Sequence, residues 1–250
     1  MSAGVIGNHV SIGDRVVNGE GEVHVWCALF LPDPGADREA WAVLSTEERA
    51  RTDRLRQQPD RSLQVRTRAF VRQVLAGYLQ VAPQDVGIAA GPDGKPEVAG
   101  DATPRWPSFN VSHSGSMAVM AVSASHEVGA DVERIRADLV WRDVARQFFS
   151  PAEVEAIDHV PRADRRRAFF DCWVRKEAYL KGLGVGLRRS TTDVTVPVVG
   201  DGGRVEDLGF VSPRAWYVYG LELGSGFAAA VAADGEAAVT IRPWTSLAGG

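Results

Sequence analysis

Apolar residues along the chain fall into short runs separated by turn chemistry, with two longer helical stretches. "VHVWCALFL" (Val23–Leu31) is a continuous apolar run of the length and β-branched content of a buried strand. "LSTEERARTDRL" opens a helix, with Ser45 as N-cap and Glu48 closing a capping box. "QVRTRAFVRQVLAGYL" carries helical periodicity and ends at Gly77 or shortly after. "GPDGKPEV" (Gly91–Val98) is a turn. "PSFNVSHSGSMAVMAVS" reads as strand, tight turn around Ser112–Gly115, and strand, and "VGADVERI" (Val128–Ile135) as another strand. In "FFSPAEVEAI" Ser150 caps a helix that has Pro151 at its first position and Glu153 closing a second box. An amphipathic helix, "FFDCWVRKEAYLK", follows and runs into the glycines Gly182, Gly184 and Gly186; "AWYVYGLELG" and "GFAAAVAA" supply late strands. Residues 1–21 are rich in glycine, lack a pattern and are expected to be mobile.

The order of elements repeats. The strands at Val23 and Val128 lie 105 residues apart, as do the caps Ser45 and Ser150. Val71-Arg72 and Val174-Arg175 differ by 103, and "SGSMAVMAV" resembles "GSGFAAAVA". This predicts an α+β fold of two similar α/β sub-domains about a pseudo-two-fold axis. The halves are residues 1–125 and 126–250, with a site at their seam. Only the second copy carries acids on its strand, because Asp131 and Glu133 correspond to Trp26 and Ala28. One site per chain follows.

Composition narrows the class. The 250 residues are 45% apolar and 24% charged, with a net charge of −4 and no long basic stretch. Nucleic acid is therefore not expected as a partner. The one dense basic run, Arg165–Arg167, reads as a solvated helix face or as a patch for an acidic protein. Cys27 and Cys172 sit in apolar surroundings without metal-ligand spacing and read as packed thiols, as in a reducing cytoplasm. No apolar run reaches membrane-spanning length and no signal peptide is evident.

The candidate chemistry lies in the acids. Asp131 and Glu133, two apart on a strand, share a face. Their mutual repulsion can be relieved by a hard divalent cation such as Mg²⁺ or Mn²⁺. Glu177 offers a third oxygen from a helix, and Lys181 shares its face one turn on. The bland alternatives are an acidic strand face and an i,i+4 ion pair. Lys95 in Gly94-Lys95-Pro96, with Ser112 and His113 at a strand-ending turn, are candidate phosphate contacts, as are Arg54, Arg61 and Arg68. The glycine ladder follows a helix instead of opening one, so it is no dinucleotide fingerprint.

"GKP" at 94–96, "FNVSHSG" at 109–115, "GADVERI" at 129–135 and "WVRKEAYLK" at 173–181 occur in one order. As a set they resemble the 4′-phosphopantetheinyl transferases of the long, surfactin-synthetase-activating type. The resemblance implies a cytoplasmic, monomeric pseudo-dimer. Such an enzyme transfers phosphopantetheine from coenzyme A to a serine of an acidic acyl or peptidyl carrier protein, releasing 3′,5′-ADP. Asp131, Glu133 and Glu177 would hold Mg²⁺ and Glu177 would act as base. Lys181 would meet the pyrophosphate, His113 with Ser112 the 3′-phosphate, and Lys95 coenzyme A. The sequence departs from some members at Glu48, which stands near a lysine of theirs. Rival classes are a magnesium-dependent nucleotide pyrophosphate hydrolase, whose glutamate-rich helix motif is absent, and a non-catalytic coenzyme-A-binding protein.

Overall fold

A computed structural model of the chain describes residues 16, 19–91, 94–100, 107–184, 190–209 and 213–244. Of the segment 1–21 expected to be mobile, residues 1–15, 17 and 18 lie outside them, as does Gly186. The first sheet has strand order β12-β1-β5-β4, from β1 (Glu22–Leu29), β4 (Ser108–Ser114), β5 (Met117–Ser123) and β12 (Ala238–Pro243). The second has order β6-β11-β10-β8, from β6 (Val128–Arg134), β8 (Gly202–Arg204), β10 (Tyr217–Gly220) and β11 (Phe227–Ala233). Neighbours within both sheets are antiparallel, except that β12 runs parallel to β1. Two short antiparallel pairs, β2 (Ile88–Ala90) with β3 (Pro96–Val98) and β7 (Val194–Thr195) with β9 (Glu206–Asp207), stand apart.

The helices are α1 (Pro34–Ala42), α2 (Thr46–Thr52), α3 (Gln58–Leu79), α4 (Trp141–Phe148), α5 (Pro151–His159) and α6 (Arg165–Leu183). Strand alternation sorts the core into three layers. Trp26, Ala28, Ala118, Met120 and Val122 face Phe70, Val74, Leu75 and Tyr78 of α3. Val23, Val25, Val119 and Ala121 meet Val128, Ala130, Val132, Ala229 and Val231 between the sheets. Ala228, Ala230 and Ala232 face Phe169, Cys172 and Tyr179 of α6. Both faces of the central strands are thus buried, which accounts for their continuous apolar runs.

The repeat in sequence is a repeat in topology. β1, α2, α3, β4 and β5 are followed in the same order by β6, α5, α6, β10 and β11, and β1-β5-β4 matches β6-β11-β10 in strand order. Both capping boxes form. In each half the capping glutamate is buried and meets a cation from the long helix. Glu48 Oε2 accepts from Arg72 Nε at 2.6 Å, and Glu153 Oε2 from Lys176 Nζ at 2.6 Å. The same cations also donate to backbone carbonyls, that of Val86 for Arg72 and that of Val194 for Lys176. The structural counterpart of Arg72 is therefore Lys176, not Arg175 as the Val-Arg spacing indicates.

α3 ends as expected shortly after Gly77, at Leu79, with Gln80 as its left-handed C-cap. Two expectations change. The turn between β4 and β5 is at Gly115-Ser116, so Ser112 and His113 lie within the strand. Arg165–Arg167 are half-buried and engaged. Arg165 donates to the carbonyls of Asp158 and Val160, Arg166 to those of Arg136 and Leu139, and Arg167 pairs with Asp171 at 2.8 Å. Arg165 and Arg166 staple α6 to the chain before it and Arg167 pairs within the helix, so the three do not form a free basic face.

Candidate active site

Two glycines set the distance between α6 and β6. A Cβ on Gly129 would fall 1.9 Å from the Ala178 carbonyl oxygen, and one on Gly182 would fall 2.5 Å from the Trp216 ring. Helix and strand can therefore approach backbone to backbone. The face of β6 carrying Gly129, Asp131 and Glu133 lies against the face of α6 carrying Ala178, Gly182 and, one turn apart, Glu177 and Lys181. α6 then stops at Gly184, a left-handed C-cap (φ 77°).

The motif "WVRKEAYLK" divides its labour along this helix. Trp173 joins an aromatic cluster with Phe148, Phe149 and Phe169. Lys176 goes to Glu153, and Lys181 reaches Asp131 Oδ1 at 2.5 Å. Glu177 lies near enough to Asp131, Glu133 and Lys181 to share their field.

The seam supplies the rest. β4 is an edge strand of the first sheet and β6 an edge strand of the second. They are joined by side chains instead of a backbone ladder. The Asn110 side-chain oxygen accepts from the Ala130 N–H at 2.9 Å, Ser112 Oγ donates to Asp131 Oδ1 at 2.8 Å, and Ser114 Oγ donates to Glu133 Oε2 at 2.8 Å. Lys181 also donates to Ser112 Oγ at 2.9 Å.

The electrostatics follow from this crowding. Burial raises the pKa of Asp131, with Lys181 and Ser112 opposing. Burial raises Glu133, helped by the charge of Asp131 and opposed by the bond from Ser114. Burial likewise raises Glu177, and the charges of Asp131 and Glu133 add to it. His113, at the exposed edge of β4, is lowered by loss of water around its ring and then by Lys181 and Arg68, so it is neutral at pH 7.

Of the residues singled out in the sequence, Asp131, Glu133, Glu177, Lys181 and Ser112 are brought together, with His113 and Arg68 beside them. Lys95 is not in the cluster. Its Nζ donates to Glu127 at 3.0 Å and to the Gly182 carbonyl at 3.2 Å, tying the β2–β3 hairpin to the end of α6. Arg61 is paired with Asp53 at 2.5 Å and lies over Trp41, while Arg54 is exposed in the turn after α2. Neither bonds to the acids among the described residues. Asn110 and Ser114 were not singled out. Their signal is the alternation Asn110, Ser112, Ser114, which mirrors the register of Asp131 and Glu133.

A divalent ion fits on one observation. Asp131 Oδ2 is buried and has no hydrogen-bond partner. Such an acceptor is costly unless something positive reaches it. The donors are hard carboxylate oxygens, suited to Mg²⁺ or Mn²⁺. Among the described residues, no three acid, histidine or cysteine side chains are already drawn into a ligand set. In this arrangement Lys181 is the counter-ion of Asp131.

Residues 127–232 match the 4′-phosphopantetheinyl transferase superfamily, and residues 32–125 match the 4′-phosphopantetheinyl transferase N-terminal family. The 4′-phosphopantetheinyl transferase HetI of Nostoc sp. is 33% identical over 169 residues, 67% of this chain and 71% of that protein. The chain belongs to the 4′-phosphopantetheinyl transferases. Further relatives agree. The putative 4′-phosphopantetheinyl transferase slr0495 of Synechocystis sp. is 35% identical over 58% of this chain and 59% of its own. The 4′-phosphopantetheinyl transferase of Bacillus subtilis is 27% identical over 67% and 72%. The Thermotoga maritima holo-[acyl-carrier-protein] synthase superposes with a TM-score of 0.31 and 21% identity, covering 43% of this chain and 61% of that one. That is too loose to add to the argument. Among the described residues no helix is long and apolar enough to cross a membrane.

Proposed function

We propose that this chain is a long-type, magnesium-dependent 4′-phosphopantetheinyl transferase, with halves dividing near residue 125. It moves phosphopantetheine from coenzyme A to a carrier-protein serine and acts as a monomer. The observation that carries the reading is the meeting of Asp131, Glu133, Glu177 and Lys181, with one buried carboxylate oxygen left without a partner. Asp131, Glu133 and Glu177 would hold Mg²⁺, which when bound supplies positive charge to the pyrophosphate. Mn²⁺ suits the same oxygens.

The carrier serine oxygen bonds to the β-phosphorus while the bond from that phosphorus to the bridging oxygen breaks, and 3′,5′-ADP leaves. Glu177 accepts the serine proton. Its raised pKa suits this, since a base works best with a pKa nearer the working pH. Lys181 exchanges Asp131 for the pyrophosphate, where it stabilises charge as the bond breaks. Neutral His113 donates to the 3′-phosphate, with Arg68 adding charge. Lys95, Arg54 and Arg61 are more distant candidates for coenzyme A, each requiring a side-chain movement. Ser112 has both hydrogen-bonding directions in use within the cluster, so its share in phosphate contact falls to the backbone.

The test is to incubate the chain with coenzyme A, Mg²⁺ and apo-carrier proteins and to weigh the products. One phosphopantetheine per carrier and an equal amount of 3′,5′-ADP are expected. Release of 3′,5′-ADP without a carrier would favour hydrolysis and overturn the reading.

A further inference from the structure

We propose that Ser114, paired with Ser112, is a positioning residue that sets metal affinity by fixing, from one half of the molecule, the acids presented by the other. The inference rests on the metal-dependent transfer proposed above.

Two serines two residues apart on β4 do the same thing to two acids two residues apart on β6. Each hydroxyl is fixed in direction by what it accepts. Ser114 Oγ accepts the Arg134 backbone N–H at 3.1 Å, so its own proton goes to Glu133 Oε2 at 2.8 Å. Ser112 Oγ accepts from Lys181 at 2.9 Å, so its proton goes to Asp131 Oδ1 at 2.8 Å. In each carboxylate one oxygen is bound by a serine. The other oxygen of Asp131 is buried without a partner.

Asp131 is thereby pre-set to offer one free oxygen, and in both acids the serine bond removes rotamer freedom that an ion would otherwise have to remove. Besides the bond to Glu133, Ser114 holds β6 only through the Arg134 N–H. It is half-buried, it is not part of an apolar core, and its strand is already paired to β5 along its length. Residues that orient ligating carboxylates change metal affinity by about 10–100-fold when lost.

The experiment compares Ser114→Val with Ser114→Thr, two side chains of one shape that differ in the hydroxyl. Mn²⁺ binding in the presence of coenzyme A is measured by electron paramagnetic resonance, beside the KM for Mg²⁺ and for coenzyme A. The Val variant is expected to bind Mn²⁺ about tenfold more weakly. Its KM for Mg²⁺ should rise in parallel while the KM for coenzyme A at saturating metal is unchanged, and Thr should restore both. Equal Mn²⁺ affinity in the two variants overturns the proposal. So does an equal rise in both KM values, which is what a merely loosened seam would give. Absence of Mn²⁺ binding by the unaltered chain would instead overturn the metal reading beneath it.

Discussion

Lys181 carries two duties in turn, and its removal separates them. In the structure it is the cation beside a buried aspartate. Lys181→Met takes away the charge that lowers Asp131, so the folded pKa of Asp131 rises further. A carboxylate raised in the folded state makes that state bind more protons than the unfolded one. Stability therefore falls as pH climbs above the unfolded value. Urea unfolding should show a deficit in this variant at pH 8 that shrinks towards pH 5. An equal deficit at both would show that Asp131 does not depend on Lys181. The acids and the lysine were legible in the sequence because two-residue spacing on a strand and four-residue spacing on a helix each define a face. Ser114 was not. Its role depends on which strand of the other half lies beside β4, and no local pattern states that.

Among the elements, α6 on β6 is the contact on which the site depends. Gly129→Ala places a methyl group against backbone, whereas Gly182→Ala meets a side-chain ring. Both should destabilise by about 1–3 kcal/mol, with Gly129→Ala the worse because backbone cannot turn aside. Urea midpoints would rank them, and the reverse order would contradict this packing. Helix starts were readable from their capping boxes. The ends were readable too: α3 stops shortly after Gly77, with Gln80 in the left-handed position, and α6 stops at Gly184 in its run of glycines.

β12 is not among the strands expected from the sequence, although "AVTIRP" has the β-branched alternation of an edge strand. It is joined to β1 by a buried polar knot. His24 Nδ1 meets the Tyr78 hydroxyl at 2.6 Å, and its Nε2 faces Arg242 at 3.1 Å and Glu22 at 3.3 Å. Burial, with Arg242, lowers the His24 pKa to about 4, against an ordinary 6.5. Below 6.5 the unfolded chain takes up a proton that the folded chain refuses. The stability held above that pH, about 3 kcal/mol at full extent, is lost as pH falls towards 4. His24→Gln should flatten this limb in unfolding measured from pH 7 to 4.5. An unchanged slope would show that His24 does not control it.

At the scale of the molecule, duplication explains why the site is single and why it lies at a seam. The two halves share strand order, capping boxes and the buried glutamate–cation pair, and these serve folding in both. Only β6 adds acids, and only α6 adds Glu177 and Lys181. The spacing of about 105 residues disclosed the halves, but the join between β4 and β6 needed coordinates, because contacts between non-local strands leave no periodic trace. Three carboxyl groups with raised pKa crowd this join. Mg²⁺ with coenzyme A should therefore raise the melting temperature more at pH 7.5 than at pH 5.5, where protons already relieve the repulsion. Equal shifts would argue against charge as the cause.

The most direct test of the account is single-turnover transfer by Glu177→Gln at saturating coenzyme A and Mg²⁺, with binding of coenzyme A checked separately. The substitution keeps the shape and removes the charge and the base. Transfer is predicted to slow by about 10²–10⁴-fold while coenzyme A still binds. Transfer at the unaltered rate would contradict the claim that the acids of β6 and α6 act together at the seam.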